Sequence, residues 1–208
     1  MRNCRNLKQI TFFILSSIIV SFIAACQTED SLEQNEILSE YIHMDFGYSS
    51  FSYPQTWDVV SIAKDVYLRY QDWENPENHR YSQVPYRYKF DFGKKAPENE
   101  VGEKQIEDFN DQQALQGETY RQLYYHTYFQ HYATLEISKN GFTRLISNDE
   151  HMEEWNINGE EFRVLRQGNE WIINWYKNGA YFDLIILGEA GITTDEQSKE
   201  LIETLFLH

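Results

Sequence analysis

Apolar and polar residues alternate through the last third of this 208-residue chain, and the alternation predicts strands. Asn158-Gly159 separates Trp155-Asn156-Ile157 from Phe162–Leu165. Gln167-Gly168-Asn169 and Lys177-Asn178-Gly179 repeat the arrangement around Trp171–Tyr176 and Tyr181–Leu187. Asn and Gly tolerate positive φ, which tight hairpin turns demand. The segment therefore reads as a four-stranded antiparallel meander within 150–207, followed by a helix. Thr194 and Gln197 stand at capping-box spacing, with Ile192 one residue too far out for an ideal staple. Leu201, Ile202, Leu205 and Phe206 then recur on one helical face to about Leu207.

The pattern upstream is less regular. Phe46, Tyr48, Phe51 and Tyr53 suggest a strand that ends at Pro54. An apolar stretch restarts at Trp57–Ile62, and Val66, Leu68 and Tyr70 alternate with period two, as do Tyr86, Tyr88, Phe90 and Phe92. Trp73–Gln83 and Gly93–Gly102 read as loops from their Pro, Gly, Asn and charges. Glu103–Gln116 carries Ile106 and Phe109 and reads as a short surface helix. Thr119–Ser138 reads as a strand broken near His131, with Leu123, Tyr125, Thr127, Phe129, Ala133, Leu135 and Ile137 facing the core. Tyr124, His126, Tyr128, Gln130, Tyr132 and Thr134 would form the outer face. Lys139-Asn140-Gly141 is then a turn into Phe142–Ile146. The expected fold class is α+β: one domain over 41–208, built on an antiparallel sheet with the C-terminal helix packed on one face.

The N-terminus changes the picture from fold to location. Arg2, Arg5 and Lys8 precede a largely apolar run from Ile10 to Ala25, the layout of an export signal. The run is about four residues shorter than the ~20 that span a bilayer. An uncleaved signal anchor and an ordinary secretory signal are the alternatives. Ile23-Ala24-Ala25-Cys26 resembles the lipobox of bacterial lipoproteins. That resemblance implies cleavage after Ala25 and diacylglycerol on the Cys26 thiol. Residues 1–25 would be the signal peptide, and 26–40, acidic and polar, a flexible tether. Two acyl chains hold stably where one holds reversibly, so the protein would be lipid-anchored on the extracytoplasmic face of the cell membrane. The other cysteine, Cys4, leaves with the signal.

Charge narrows the partners. With Arg2, Arg5 and Lys8 removed, 15 basic residues face 33 acidic ones, a formal charge of −18. Such a body is repelled by phosphate backbones and anionic headgroups, which argues against nucleic acid and against lying flat on the membrane. Aromatic residues make up 16% of the chain, more than a disordered chain carries.

Trp175-Tyr-Lys-Asn-Gly179-Ala-Tyr181-Phe182-Asp-Leu184, followed by Glu200-Leu201-Ile202-Glu203-Thr204-Leu205, resembles the end of an uncharacterised domain family. That family occurs at the C-termini of lipoproteins and anti-sigma-type membrane proteins of Bacillus-like and Clostridium-like bacteria. This chain places Phe182 where the family has Tyr. The resemblance covers about 150–207 and implies a curved antiparallel sheet, with no catalytic residue to carry over. Phe51-Ser-Tyr-Pro54-Gln-Thr-Trp57 is similar to the opening of the photosystem oxygen-evolving-protein-like fold, again a sheet with helices.

Candidate chemistry is sparse. His126 and His131 point to different sides whether in strand or helix, and the mature chain offers no thiol other than Cys26, so no metal site is expected. His79 and His151 fall in expected loops and read as solvated. No nucleophile elbow, zinc-binding helix, phosphate loop or calcium loop is present, so no catalytic residue and no cofactor is expected. Glu107-Asp108, Glu153-Glu154 and Glu160-Glu161 are sequence neighbours and read as solvated charge. The stripe Tyr124, Tyr128 and Tyr132 is the candidate binding face; the competing reading, which we favour, packs it under another layer. The expected function is a lipid-anchored, non-catalytic binding module for an envelope protein or peptide. The alternatives are a carrier of an apolar ligand in the curved sheet and a hydrolase with dispersed carboxylates.

Overall fold

The protein is described by a computed structural model covering residues 53–54, 56–144, 146 and 152–206. The signal, Ala25, Cys26, the tether, His151 and the expected strand as far as Phe51 lie outside the described residues; Tyr53, where that strand was expected to end, is described and is not in a strand. Strands β1 (Asp58–Tyr70), β2 (Arg80–Glu100), β3 (Tyr120–Ser138), β4 (Met152–Ile157), β5 (Glu160–Gln167), β6 (Glu170–Lys177) and β7 (Ala180–Ile186) form one antiparallel sheet. Its order is β1-β2-β3-β7-β6-β5-β4, and α1 (Glu103–Leu115) and α2 (Asp195–Phe206) complete the described fold. The α+β class with a C-terminal helix is therefore correct.

The meander follows from its turns. Asn158 and Gly159 have φ of 53° and 88°, and Asn178 and Gly179 have 53° and 85°, so both central residues of each turn are left-handed. That is the I′ pattern, whose twist matches the flanking strands. A two-residue turn fixes register, pairing Ile157 with Glu160 and Lys177 with Ala180. Register in turn fixes faces. Phe162, Val164, Trp171, Ile173, Trp175, Phe182, Leu184 and Ile186 fall on one face, joined by Phe90, Phe92, Leu135 and Ile137 from β2 and β3. Leu201, Ile202 and Leu205 of α2 close over them. Each such side chain contributes roughly 1.5–3 kcal/mol on burial. Thr194 Oγ1 accepts the Gln197 N–H, and Gln197 Oε1 accepts the N–H groups of Thr193 and Thr194, so α2 starts at the expected box. Trp171 Nε1 donates to Ile192 O at 3.1 Å, which ties the lead-in of α2 to the sheet.

The first three strands depart from expectation in ways that share one cause. The two apolar stretches at 57–62 and 66–70 are a single strand, β1. It pairs along one edge with β2 and, over Ser61–Asp65, along the other with Tyr120–Tyr125 of β3. The rest of β3 returns along β2 from His126 to Ser138. The sheet thus curls onto itself, and the curl needs a long β2. The expected loop 93–102 is mostly strand because β3 supplies partners as far as Glu100. Pro97 is tolerated there because the ladder is irregular between Lys95 and Glu100. Similarly, β2 begins at Arg80, opposite Tyr70, inside the expected loop 73–83. His79 is not solvated: it is 7% exposed, and its Nδ1–H donates to Ala114 O at 3.1 Å near the C-terminal end of α1. Phe142–Ile146 is not a strand among the described residues.

β3 is not broken but bulged. Phe92 pairs with Ala133 and Gly93 with His131, skipping Tyr132; Lys94 pairs with Gln130 and Lys95 with Tyr128, skipping Phe129. Each extra residue shifts the alternation of faces. Phe129, expected in the core, is 67% exposed for this reason.

Candidate functional site

The bulges divide the tyrosine stripe. Tyr124 and Tyr132 pack against the apolar core, Tyr132 with its ring 5.9 Å from Trp57. Lys95 Nζ lies 5.3 Å above the Tyr124 ring. Tyr128 goes to the opposite, polar face, its ring 5.6 Å from His131. The three do not form the one surface that the sequence pattern suggested.

On that polar face the curl gathers groups far apart in sequence. Asp91 accepts a hydrogen bond from Thr134 Oγ1 at 2.6 Å and pairs with Lys89 Nζ at 3.3 Å and His131 Nε2 at 3.4 Å. His131 Nε2 is also 3.1 Å from the Ala133 carbonyl, which can only accept, so Nε2 carries the hydrogen. Burial works against ionisation of Asp91, but the bonds from His131 and Thr134 and the charge of Lys89 outweigh it and hold its carboxyl below the usual range. Beside it, burial and the charges of Asp91 and Asp65 push the Tyr120 phenol up to about 12. Tyr120 donates to Gln122 Oε1, and Gln122 Nε2 donates to Ser61 Oγ and Ile62 O at 3.0 Å each. Asp91 and Thr134 bond across β2 and β3, and Gln122 bonds from β3 to Ser61 on β1, which makes the cluster a lining that holds the curl. Because the folded state depresses Asp91, its contribution is present above the ordinary carboxylate pKa of about 4 and fades as pH falls through the lower folded value. Denaturation midpoints of wild type and Asp91→Asn are expected to differ at pH 7 and converge in acid. A pH-independent gap would contradict this.

The sequence singled out Asp183 only as an interruption of an apolar run. It is 1% exposed and belongs to a polar row crossing the sheet through Glu154, Arg163, Asn174, Asp183, Glu136 and Lys89. Asp183 accepts the Thr143 N–H and hydroxyl, both at 2.8 Å, and Asn174 Nδ2 at 2.5 Å. Burial raises its pKa despite the Thr143 bonds. It is sealed by residues 142–144 and cannot meet a substrate.

Where that row reaches the end of the sheet it opens. A groove of about 660 Å³ lies over β4, β5 and β6, bordered by Phe142, Glu154, Asn156, Glu161, Arg163 and Tyr176. Register places Glu154 opposite Arg163, and Asn156 opposite Glu161. Glu154, Asn156, Glu161 and Tyr176 are all exposed. Among the described residues Glu154 and Glu161 form no ion pair, whereas Glu160 is held by Lys177 at 3.1 Å. Among the described residues β4 ends the strand order and pairs only with β5. The groove therefore offers, among the described residues, two carboxylates without an ion pair beside a strand edge that no other strand covers. Sequence reasoning read these glutamates as solvated charge; the Asn158-Gly159 turn, which sets their register, was the signal that aligns them.

His126 and His131 are not brought together: His126 Nδ1 bonds Thr127 O, and His131 belongs to Asp91. No group of three or more His, Cys, Asp or Glu among the described residues is arranged to hold a metal ion. No helix among them is long and apolar enough to cross a membrane. Comparisons with protein families, curated proteins and solved structures find no match to this chain.

Proposed function

We propose that this chain is a bacterial lipoprotein, held by diacylglycerol on Cys26 at the outer face of the cytoplasmic membrane, whose domain is a non-catalytic binding module for an envelope protein or peptide. The observation that carries the reading is Ile23-Ala24-Ala25-Cys26 at the end of an apolar run headed by Arg2, Arg5 and Lys8. The domain of the lipoprotein-type family that the C-terminal third resembles gives the same setting. The groove at β4–β6 supports binding, since among the described residues Glu154 and Glu161 on its border form no ion pair. A lipid carrier would need space between sheet and helix, where Trp171, Ile173, Phe182 and Ile202 are packed at 2% exposure or less. A hydrolase would need carboxyls open to a cleft with shifted pKa, whereas Asp91 and Asp183 are both tied up by neighbours.

Cross-linking in intact cells followed by affinity capture tests the module. A specific envelope partner is expected with the wild-type chain and is lost when Cys26→Ala frees the protein from the membrane or leaves it unprocessed. Repeated recovery of no specific partner would contradict the reading.

A further inference from the structure

We infer that the β4 edge and its groove bind an extended basic peptide segment, which adds to the sheet as an eighth strand and places lysine or arginine side chains against Glu154 and Glu161. The inference rests on the binding-module reading and names the chemistry of the partner.

An exposed sheet edge presents a row of unpaired N–H and C=O groups, and strand addition satisfies them with main-chain hydrogen bonds. β4 has six residues, Met152–Ile157, enough at roughly 3.3 Å per residue for a strand of about 20 Å. Its faces are already sorted. Trp155 and Ile157 are buried on the core side, while Glu154 and Asn156 stand exposed on the groove side. Side chains of an added strand alternate in the same way, so every second residue of the guest would hang over the groove. Glu154 on β4 and Glu161 on β5 are one and two strand spacings from that guest, about 5 and 10 Å in the sheet plane. A lysine or arginine side chain spans this range.

Charge selects the guest. A second copy of this chain would bring its own Glu153 and Glu154 to the edge, within a body of formal charge −15, and would be repelled. A basic segment is attracted by the same charges. Specificity then comes from alternation: lysines at alternate positions meet the groove, and the intervening residues need only tolerate the other face.

The probe is the peptide acetyl-TKVKTKVKT-amide, titrated into the full-length protein in neutral detergent by calorimetry. Three controls are the acidic counterpart acetyl-TEVETEVET-amide, the permuted acetyl-KKKKTTTVV-amide, and the basic peptide with alternate backbone nitrogens methylated. The alternating basic peptide is expected to bind at least tenfold more tightly than each control. Glu154→Gln combined with Glu161→Gln, both on exposed positions, is expected to weaken it about tenfold. Equal binding of the permuted or methylated peptide, or an unaffected double variant, would overturn the inference. A photo-reactive residue at Asn156 separates this inference from the reading beneath it. If cells yield a specific partner that never cross-links at Asn156, the edge inference falls while the module reading stands.

Discussion

Replacing Arg87 by methionine is expected to cost about 2–3 kcal/mol of stability, the upper range for hydrogen bonds to a charged group, because Asp65 is buried while the Arg87 side chain is 29% exposed. Arg87 reaches from β2 to Asp65 on β1, with Nε and Nη2 each 2.7 Å from Asp65 Oδ2, and its Nη1 is 3.5 Å from Glu136 Oε2 on β3. One guanidinium therefore joins all three strands of the curl. Asp65 is 5% exposed, and its other bond is a 3.3 Å one from Thr119 Oγ1. Without Arg87 its charge stays in a poorly solvated place beside Glu136. Adding Asp65→Leu to Arg87→Met is expected to recover most of the loss, because an apolar pair leaves no stranded charge. Urea denaturation of the two single variants and the double variant measures this coupling. A single-variant loss below about 1 kcal/mol would mean the pair behaves as a solvated surface bridge.

Gly93→Ala is expected to cost at least about 3 kcal/mol, the upper end for overpacking. A Cβ at Gly93 would lie 2.2 Å from the Gln130 carbonyl oxygen and 3.4 Å from His131 Cα. These are backbone atoms, so no rotamer change relieves the clash; β3 would have to move away from β2 at the bulge. The strain is one of space rather than of backbone angle. The same substitution at Gly141, Gly159 or Gly179 meets nothing within 4 Å, though positive φ strains it there. Thermal unfolding of Gly93→Ala should show a markedly larger loss than Gly141→Ala. Equal losses would mean that the close approach of β2 and β3 does not hold the curl.

Gly93 also marks where the sequence stops being legible. The meander and α2 were readable because their determinants are local: Asn-Gly pairs that accept positive φ, and a Thr–Gln box three residues apart. Two-residue turns carry register with them, and register carries faces. The curl depends instead on what lies across from each residue. Gly93–Glu100 has the composition of a loop and becomes strand because β3 runs alongside it. The sequence placed a break in β3 near His131; bulges at Phe129 and Tyr132 take its place, sending Tyr128 to His131 and Tyr132 to Trp57. Asp91, His131 and Thr134 meet across about 40 residues of sequence, and nothing in their spacing announces the meeting. The groove lay between these extremes: once the turn at Asn158-Gly159 is accepted, Glu154 must face Arg163, and Asn156 must face Glu161. What spacing alone did not supply was that β4 would be the outermost strand.

The anchor we propose on Cys26 would make this acidic domain an envelope component, and one spectrum tests it. Intact-mass analysis of the protein isolated from membranes of its native cells should show a polypeptide beginning at Cys26 and carrying the added mass of diacylglycerol. A chain that begins at Met1, or one of bare polypeptide mass, would contradict it.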